Sequence, residues 1–334
     1  MMEKFLSKRF KRGGPVAVAM VFIASCKTAG FHADSSAELK LWRQQDLAAS
    51  EGAIDPMKAV AVFSAGGTQG GGIARLDAWV PAAVGCEGAQ SAISLEADAL
   101  GRRLRFYPAG SPRAGALGFS ALVPIPFETP ASEITVPVRI LCVGRQPLHV
   151  EARLVVTTAS YPSETLTVDP RHVTPDAQSL KRIRLEKKRL GAVYRASVGR
   201  RLWNGPFDHP VSSIPTSEFG IRRVFNGQMQ SFHQGKDYRA SEGTPVLAAG
   251  AGRVAFAGDL YMTGNTVILD HGLGLFTIYA HLSALKVEEG KEVPKGTLLG
   301  LSGMTGRASG PHLHFGVNLS GLKVDPNDLL RVAR

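Results

Sequence analysis

Short apolar runs broken by Gly and Pro occupy two long parts of the chain and restrict it to a mostly β fold. Between about Met57 and Val168 these runs include KAVAVF, ARLDAWV, ITVPVRILCV and LHVEARLVV. From Phe207 onward the same texture returns in VLAAGAGRVAFAG, NTVILDHG, LFTIYAHL and HLHFGVNL. Short runs between turn residues are typical of strands, and helical periods are scarce in both parts. We therefore predict an N-terminal β-sandwich and a second, glycine-rich β domain.

A helix is predicted between the two β parts. QSLKRIRLEKKRLGAVYRA places Ile183, Leu190 and Tyr194 on roughly one face, with Thr174 as the N-cap. Its many Lys and Arg residues could contact anionic polymers, but a solvated helix face is the commoner explanation. At 334 residues the chain has room for about two domains. The predicted divisions are a signal peptide at 1–25, a tether at 26–56, the β-sandwich at 57–170, a helical connector at 171–205 and the second β domain at 206–331.

The first residues have the pattern of a secretion signal. Five basic side chains precede an apolar run, Val16 to Ala24, that is too short to span a bilayer comfortably. IASC, Ile23 to Cys26, resembles the bacterial lipoprotein signal, whose cysteine becomes the lipidated first residue; the alternative is an ordinary cleaved signal with an incidental cysteine. Lys27 follows, without the Asp that retains lipoproteins at the inner membrane. The resemblance implies a lipid anchor on Cys26 at the periplasmic face of a membrane, with the outer membrane favoured.

Cysteine count and charge agree with export. Once Cys26 is acylated, Cys86 and Cys142 remain as an even pair in a compartment that permits disulfides, so a bridge between them is predicted, and two buried free thiols are the alternative. Residues 1–25 carry a net +4 of the formal +11, which leaves about +7 for the mature chain. A basic exported protein meets anionic partners such as cell-wall carboxylates or lipid head groups. Nucleic acid is not expected, because no nucleic-acid motif is present.

Four histidines lie in strand-like segments where they could bind a metal ion or transfer protons. His312 and His314 are two residues apart in HLHF, and period-two alternation places both imidazoles on one face. Tyr279 and His281, in TIYAHL, have the same spacing, so we predict that they also share a face. Surface or structural roles are the default for the other five histidines, which are His32, His149, His172, His209 and His271.

HQGKD, residues 233 to 237, has an even spacing between its histidine and its aspartate. A straight strand would place the Cα atoms of His233 and Asp237 roughly 13 Å apart, at about 3.3 Å per residue. Two short side chains cannot share one metal ion across that span, since zinc bonds are about 2.0 to 2.2 Å long. We therefore predict a bend at Gly235, the residue that tolerates one.

The residue types favour hydrolysis at a metal. Two nitrogens and one carboxylate oxygen around zinc leave a fourth position open, as hydrolytic sites require. Water in that position is acidified for attack. The sequence has no HExxH motif, so a nearby imidazole is the expected base.

The motifs HQGKD, YAHL and GPHLHF, with TSEFGIRR, GTPVLAAGAGRV, VILDHG and SGMTGRASG, resemble the lysostaphin-type (LytM-domain) zinc endopeptidases of bacterial cell walls. The resemblance covers about Pro206 to Leu330, in motif order and spacing. It implies that His233, Asp237 and His314 bind Zn²⁺. It also implies catalytic roles for His281 and His312, with His312 as general base. Some members have a tyrosine shortly before the first ligand, and Val224 to Phe232 contains none.

The resemblance implies an exported zinc endopeptidase that hydrolyses peptide bonds of peptidoglycan. Cross-links are the expected target, and D-alanyl–diaminopimelate bonds are favoured over glycine bridges. The alternative from another class is a non-cutting wall-binding scaffold or amidase activator, which typically lacks the metal ligands. A third possibility is a zinc-stabilised structural module, but closed structural sites usually recruit four protein ligands.

Overall fold

The computed structural model describes residues 58–64, 68–82, 92–111, 115–227 and 229–333. The predicted signal peptide, the tether, Cys26 and Cys86 lie outside these ranges. The elements within them are mostly strands. In chain order they are β1 (Val60–Phe63), β2 (Thr68–Gln69), β3 (Ile73–Pro81), β4 (Ile93–Ala99), β5 (Arg102–Arg103), β6 (Tyr107–Ala109), β7 (Ala116–Pro124), β8 (Ser132–Cys142), β9 (Leu148–Thr157), β10 (Ser163–Leu166), a 3₁₀ turn (Pro170–His172), α1 (Ala177–Arg195), β11 (Pro215–Ser217), β12 (Arg222–Phe225), β13 (Met229–Phe232), β14 (Lys236–Arg239), β15 (Pro245–Leu247), β16 (Gly252–Leu260), β17 (Gly264–Gly272), β18 (Leu275–Leu285), β19 (Glu292–Val293), β20 (Leu298–Ser302), β21 (His312–Leu319), β22 (Leu322–Val324) and α2 (Pro326–Val332).

The N-terminal strands form a two-sheet sandwich, as predicted. One sheet has the order β1-β3-β7-β6 and the other has the order β2-β9-β8-β4-β5. In β8 the inward residues Val136, Val138 and Ile140 are at most 1% exposed, while Pro137 and Arg139 between them face solvent. This period-two burial supplies the inner face of the second sheet. One hydrophobic core joins both sheets and includes Leu76, Val123, Ile140 and Leu154.

The second β part is a larger sheet, and its strand pairs are antiparallel. Its main path runs β11-β14-β21-β18-β17-β16-β19, while β15, β20 and β22 pair off this path. Tyr238, Tyr279 and Phe315 are fully buried in its core. The mostly β, antiparallel architecture expected from the sequence is confirmed.

The connector helix begins slightly later than predicted. Asp176, and not Thr174, is the N-cap, because its carboxylate accepts the Ser179 N–H at 2.7 Å. Leu190 and Tyr194 pack against a cluster on the large sheet, as the periodicity indicated. No described helix combines the length and the apolar character that crossing a bilayer requires.

The C-terminal helix α2 was not predicted from the sequence. Asp325 caps it by accepting the Asn327 N–H at 2.8 Å, and Pro326 occupies the first turn. The Asp328 carboxylate then accepts the Ile73 N–H at 2.8 Å, which ties α2 to β3 of the sandwich. The described residues between 58 and 333 accordingly belong to one compact unit.

Strand β10 leaves the sandwich and adds to a hairpin of the second β part. It pairs in parallel with β12, which pairs with β13, so the three make a small sheet. Just beyond the sandwich strands, the Tyr161 ring stacks on Phe127 at 4.8 Å between ring centroids. A Cβ atom at Gly220 would lie only 2.1 Å from that tyrosine ring. The segment before the helix therefore packs closely on the chain that leads to β12.

This packing predicts different costs for two glycine substitutions. Gly220 and Gly243 have φ values of +85° and +87°, but a Cβ at Gly243 would meet nothing within 4 Å. We expect Gly243→Ala to lower the free energy of unfolding by about 1–2 kcal/mol through backbone strain. Gly220→Ala should cost about 1–3 kcal/mol more, because it also overpacks Tyr161. Denaturant unfolding of both variants measures the difference, and equal losses would contradict the close packing.

Candidate metal centre and active site

Two neighbouring strands bring a carboxylate and an imidazole face to face. Asp237 of β14 pairs directly with His314 of β21. Side chains of directly opposed residues in an antiparallel pair lie on the same face, about 4.5 to 5.5 Å apart at Cβ. His233 directly follows β13, and the bend after it returns the chain into β14.

The three side chains converge on one point. His233 Nε2 is 3.0 Å from Asp237 Oδ1 and 3.1 Å from His314 Nδ1. His314 Nδ1 is 2.8 Å from the same carboxylate oxygen. Two imidazole nitrogens and one carboxylate oxygen are a donor set that suits zinc, whose donors lie roughly 3.4 Å apart when tetrahedral bonds are about 2.1 Å. Among the described residues, this metal-capable cluster has three members, which is one ligand short of a closed structural site.

Gly235 bends the chain as predicted, but it also supplies space. A Cβ atom there would lie 2.6 Å from His314 Cε1 and 2.6 Å from the Phe315 carbonyl oxygen. Real Cβ contacts are never that short, so a side chain at this position would displace the imidazole of His314. The glycine thus allows His233, Asp237 and His314 to meet.

Hydrogen bonds orient the first histidine. His233 Nδ1 donates to the Glu218 carbonyl oxygen at 2.7 Å, because a carbonyl can only accept. Its Nε2 then carries the lone pair that points at Asp237 and His314. A hydrogen bond from the nitrogen that does not bind the metal fixes the tautomer and the ring orientation of a metal-binding histidine.

Asp237 is held by an arginine that sequence analysis did not identify. Arg223 of β12 donates to Asp237 Oδ2 at 2.6 Å, which leaves Oδ1 for the two histidines. The same arginine contacts Glu164 of β10 at 2.5 Å and Ser217 Oγ at 2.9 Å. The motif TSEFGIRR contains Ser217 and Arg223, so the sequence hinted at these two residues. No local pattern indicated Glu164.

The electrostatic setting favours a charged Asp237 and a neutral His314. Burial opposes the charged form of Asp237, but the adjacent rings of His233 and His314 outweigh it and hold the pKa of Asp237 well below the usual range. Burial lowers the pKa of His314 to about 4, although Asp237 acts in the opposite direction. Neutral imidazole and ionised carboxylate are the forms that bind metal ions.

The two further predicted histidines lie beside this cluster. His312 Nε2 is 3.9 Å from Asp237 Oδ1, and its ring centroid is 4.7 Å from that of His281. His312 Nδ1 donates to the Gly310 carbonyl at 2.8 Å, and His281 Nδ1 donates to the Thr305 carbonyl at 2.7 Å. In the neutral form both rings therefore keep an Nε2 lone pair. Burial, followed by the neighbouring His312 and His314, lowers the pKa of His281 to about 3.

The prediction that Tyr279 and His281 share a face is wrong. Tyr279 pairs with Phe315 in the core, and its hydroxyl accepts the Ala249 N–H at 2.9 Å. Regular alternation would also direct His281 into the core, but its φ is +61°. The left-handed backbone turns the ring toward His312 and His314 instead. Such a conformation costs about 1–3 kcal/mol in a non-glycine residue and is concentrated at functional sites.

A cleft of about 560 Å³ exposes this constellation. His233, Asp237, His281, His312 and His314 all line it. The side chains of His312 and His314 keep 17% and 15% exposure, whereas that of His233 keeps 1%. His233 is thus sealed from solvent, and His312 and His314 face the space that a substrate would enter. The described lining also includes residues of β10 and of the loop from β20 to β21.

The other described histidines stay apart from the cleft. His271 donates from Nδ1 to the Ala251 carbonyl at 2.7 Å and is fully buried, which lowers its pKa to about 4. His209 Nδ1 contacts the Tyr238 hydroxyl at 2.7 Å, and His149 is exposed on β9. His32 lies outside the described residues, and His172 belongs to the 3₁₀ turn. His209, His149 and His271 fit the structural and surface roles expected of them.

Comparison with known proteins links the cleft to a peptidase family. Residues 231–326 match the model of Peptidase family M23. The DD-carboxypeptidase/endopeptidase Mpg of Neisseria meningitidis serogroup B is 41% identical over 111 residues, which are 33% of this chain and 26% of that protein. The peptidoglycan DD-endopeptidase ShyA of Vibrio cholerae serotype O1 is 41% identical over 93 residues, or 28% of this chain and 22% of that protein. The chain thus spans about a quarter of the length of these curated relatives.

One solved structure is similar over most of the chain. A crystal structure described as a peptidase M23 from Pseudomonas aeruginosa covers 79% of this chain and 95% of its own, with 28% sequence identity and a TM-score of 0.56. The similarity therefore extends beyond the segment that matches the family model.

The contact between Arg223 and Asp237 predicts an effect on metal affinity. Arg223→Met should weaken zinc binding by about 10–100-fold, because Asp237 loses the partner that orients its carboxylate. Arg222→Met, on the neighbouring exposed residue of the same strand, is the matched control and should keep the affinity of the unmodified protein. Competition with a chromogenic chelator measures both constants. Equal affinities in the two variants would show that the ion pair does not support the metal site.

Proposed function

Because residues 231–326 are a peptidase family M23 domain, we propose that the chain is a zinc-dependent endopeptidase that cleaves peptide bonds in peptidoglycan. The observation that carries the proposal is the convergence of His233, Asp237 and His314 beside two further imidazoles in an open cleft. The activities for which the Neisseria and Vibrio relatives are named support peptidoglycan as the substrate class. Among its bonds we propose the D-alanyl–diaminopimelate cross-link.

The three converging side chains would hold the ion. His233 Nε2, Asp237 Oδ1 and His314 Nδ1 are the donor atoms, and Arg223 keeps the carboxylate turned toward the rings. When bound, zinc supplies a Lewis acid that polarises the scissile carbonyl and lowers the pKa of a water molecule.

Proton transfer falls to His312 and His281. The Nδ1–H groups of both rings are committed to backbone carbonyls, so each neutral ring offers Nε2 as an acceptor. His312 Nε2 is near Asp237 Oδ1, which makes it the better-placed base for the attacking water. Once it has taken that proton, the ring carries an Nε2–H that can be donated to the leaving amine. The left-handed backbone of His281 places a second imidazole beside it to assist with either transfer.

The decisive experiment separates metal binding from turnover. Protein beginning after Cys26 is incubated with purified cross-linked peptidoglycan, and the muropeptides are identified by mass. We expect cleavage to stop with a chelator and to return with zinc. His314→Ala should lose stoichiometric zinc and activity together. His312→Ala should keep its zinc and lose about 10²–10⁴-fold in rate, the usual contribution of general acid–base catalysis.

Two outcomes would redirect the proposal. Loss of zinc in His312→Ala would mean that a ligand has been taken for a catalytic residue. Muropeptides that stay unchanged in every condition, with zinc bound at one equivalent, would favour the non-cutting scaffold or amidase activator. Purified wall pelleted with the protein would then test that second function directly.

We also propose that the protein is exported and held at the periplasmic face of a membrane by lipid on Cys26, with the outer membrane favoured. The lipobox-like IASC and the basic, apolar first residues support this. A disulfide between Cys86 and Cys142 remains part of the proposal. Cys142 is buried at the end of β8, where two-sheet packing would protect such a bond.

The anchor gives a direct prediction. Cys26→Ser should move the protein from the membrane fraction to the soluble periplasmic fraction and abolish incorporation of labelled fatty acid. Ser25→Ala leaves the cysteine in place and should stay in the membrane fraction. If Cys26→Ser stays with the membrane and carries no label, the lipid anchor is not what attaches the protein. The signal would then be an ordinary cleaved one, and the attachment would have another cause.

A further inference from the structure

One arginine of the cleft lacks an anionic partner. Arg307, on the loop between β20 and β21, lines the same cleft as His281 and His312. Its guanidinium carbon lies 4.3 Å from the centroid of the buried Phe225 ring. Across the described part of the chain, no carboxylate lies within 4.0 Å of its nitrogens, and no side-chain hydrogen bond occupies its N–H donors.

The other arginine of the cleft is fully engaged. Arg223 contacts Glu164 at 2.5 Å and Asp237 at 2.6 Å, so its charge is neutralised within the protein. Arg307 shares the cleft with these groups but pairs with neither carboxylate. The aromatic ring of Phe225 attracts a cation but offers no strong acceptor. The donors of Arg307 therefore remain available to a ligand.

The backbone fixes the position of Arg307 relative to the catalytic histidines. Its N–H donates to the Met262 carbonyl at 2.8 Å, and the His281 N–H donates to the adjacent Thr263 carbonyl at 2.9 Å. Gly306 has a φ of +74°, and a Cβ there would lie 2.3 Å from Gly264 N. The loop thus packs directly on the turn that also holds His281. The backbone of Arg307 therefore has a fixed position in the cleft wall.

The local field also favours an anion. Burial lowers the pKa of Arg307, and the charge of Arg223 lowers it further. A partly buried cation without a carboxylate partner is unfavourable until an opposite charge joins it. A substrate group that supplies this charge would gain more here than at an exposed arginine.

We propose that Arg307 binds a free carboxylate of the substrate and makes the cleft selective for acidic stem peptides. This inference rests on the proposed function and names one recognition element of the same site. Guanidinium groups pair with carboxylates through two parallel hydrogen bonds, which gives geometric selectivity as well as affinity. Peptides that contain diaminopimelate or γ-linked glutamate keep a free α-carboxyl group beside the backbone, and amidation removes its charge.

The test compares two cross-linked stem peptides that differ only in whether these carboxyl groups are free or amidated. Hydrolysis by the purified zinc-loaded protein gives kcat/KM for each peptide. Fluorescence anisotropy of labelled peptides on His312→Ala gives their affinities without turnover. We expect the free acid to be preferred by about 10–100-fold, the range of a hydrogen bond to a charged group. Arg307→Gln should remove the preference, and Arg307→Lys should restore part of it.

Arg184→Gln is the matched control, because Arg184 is an exposed cation of α1 without a carboxylate partner among the described residues. It should retain the preference of the unmodified protein. Equal hydrolysis of the two peptides by the unmodified protein, together with equal binding by His312→Ala, would overturn the inference, whatever the Arg307 variants do. A preference that survives in Arg307→Gln would also overturn it. Preferential binding of the acid without hydrolysis of either peptide would instead reject the proposed function and leave the carboxylate site standing.

Discussion

The pairing of β14 with β21 is the contact on which the site depends. It places Asp237 directly opposite His314, so two of the three converging groups are positioned by backbone hydrogen bonds of a central sheet. His233 reaches them only because the chain bends at Gly235, where a side chain would collide with the His314 ring. A slip of this pairing by one residue would send His314 to the opposite face and remove the convergence.

The sequence predicts this site well where the backbone is regular. His312 and His314 lie on one face because β21 alternates without interruption around them. His281 reaches the same cleft by breaking that rule, since its left-handed φ turns it away from the face of Tyr279. Alternation correctly describes Tyr279 and Phe315, which pack in the core. The motif resemblance placed His281 in the site correctly. The spacing argument also placed it there, but it rested on a shared face with Tyr279 that the structure does not have.

Other parts of the site cannot be predicted from short stretches of the sequence. Glu164 lies on β10, far from Asp237 along the chain, and reaches it only through Arg223. The parallel pairing of β10 with β12 that allows this contact leaves no pattern in either segment. One wall of the cleft thus comes from residues before the helix, outside the segment 231–326 that matches the family model. The similarity to the Pseudomonas structure over 79% of this chain fits a cleft whose walls extend past the family segment.

The charge balance of the cleft indicates which ligands it favours. Its described lining carries two carboxylates, Glu164 and Asp237, and two guanidinium groups, Arg223 and Arg307. These charges balance, and formally neutral histidines leave the balance unchanged. A bound divalent cation would therefore give the cleft a surplus of two positive charges. An acidic substrate would meet that surplus in the ground state, and the oxyanion of the proposed peptide hydrolysis would meet it in the transition state. Arg223 is paired with Asp237, whereas Arg307 has no carboxylate partner among the described residues. The positive charge of Arg307 is therefore available to a ligand.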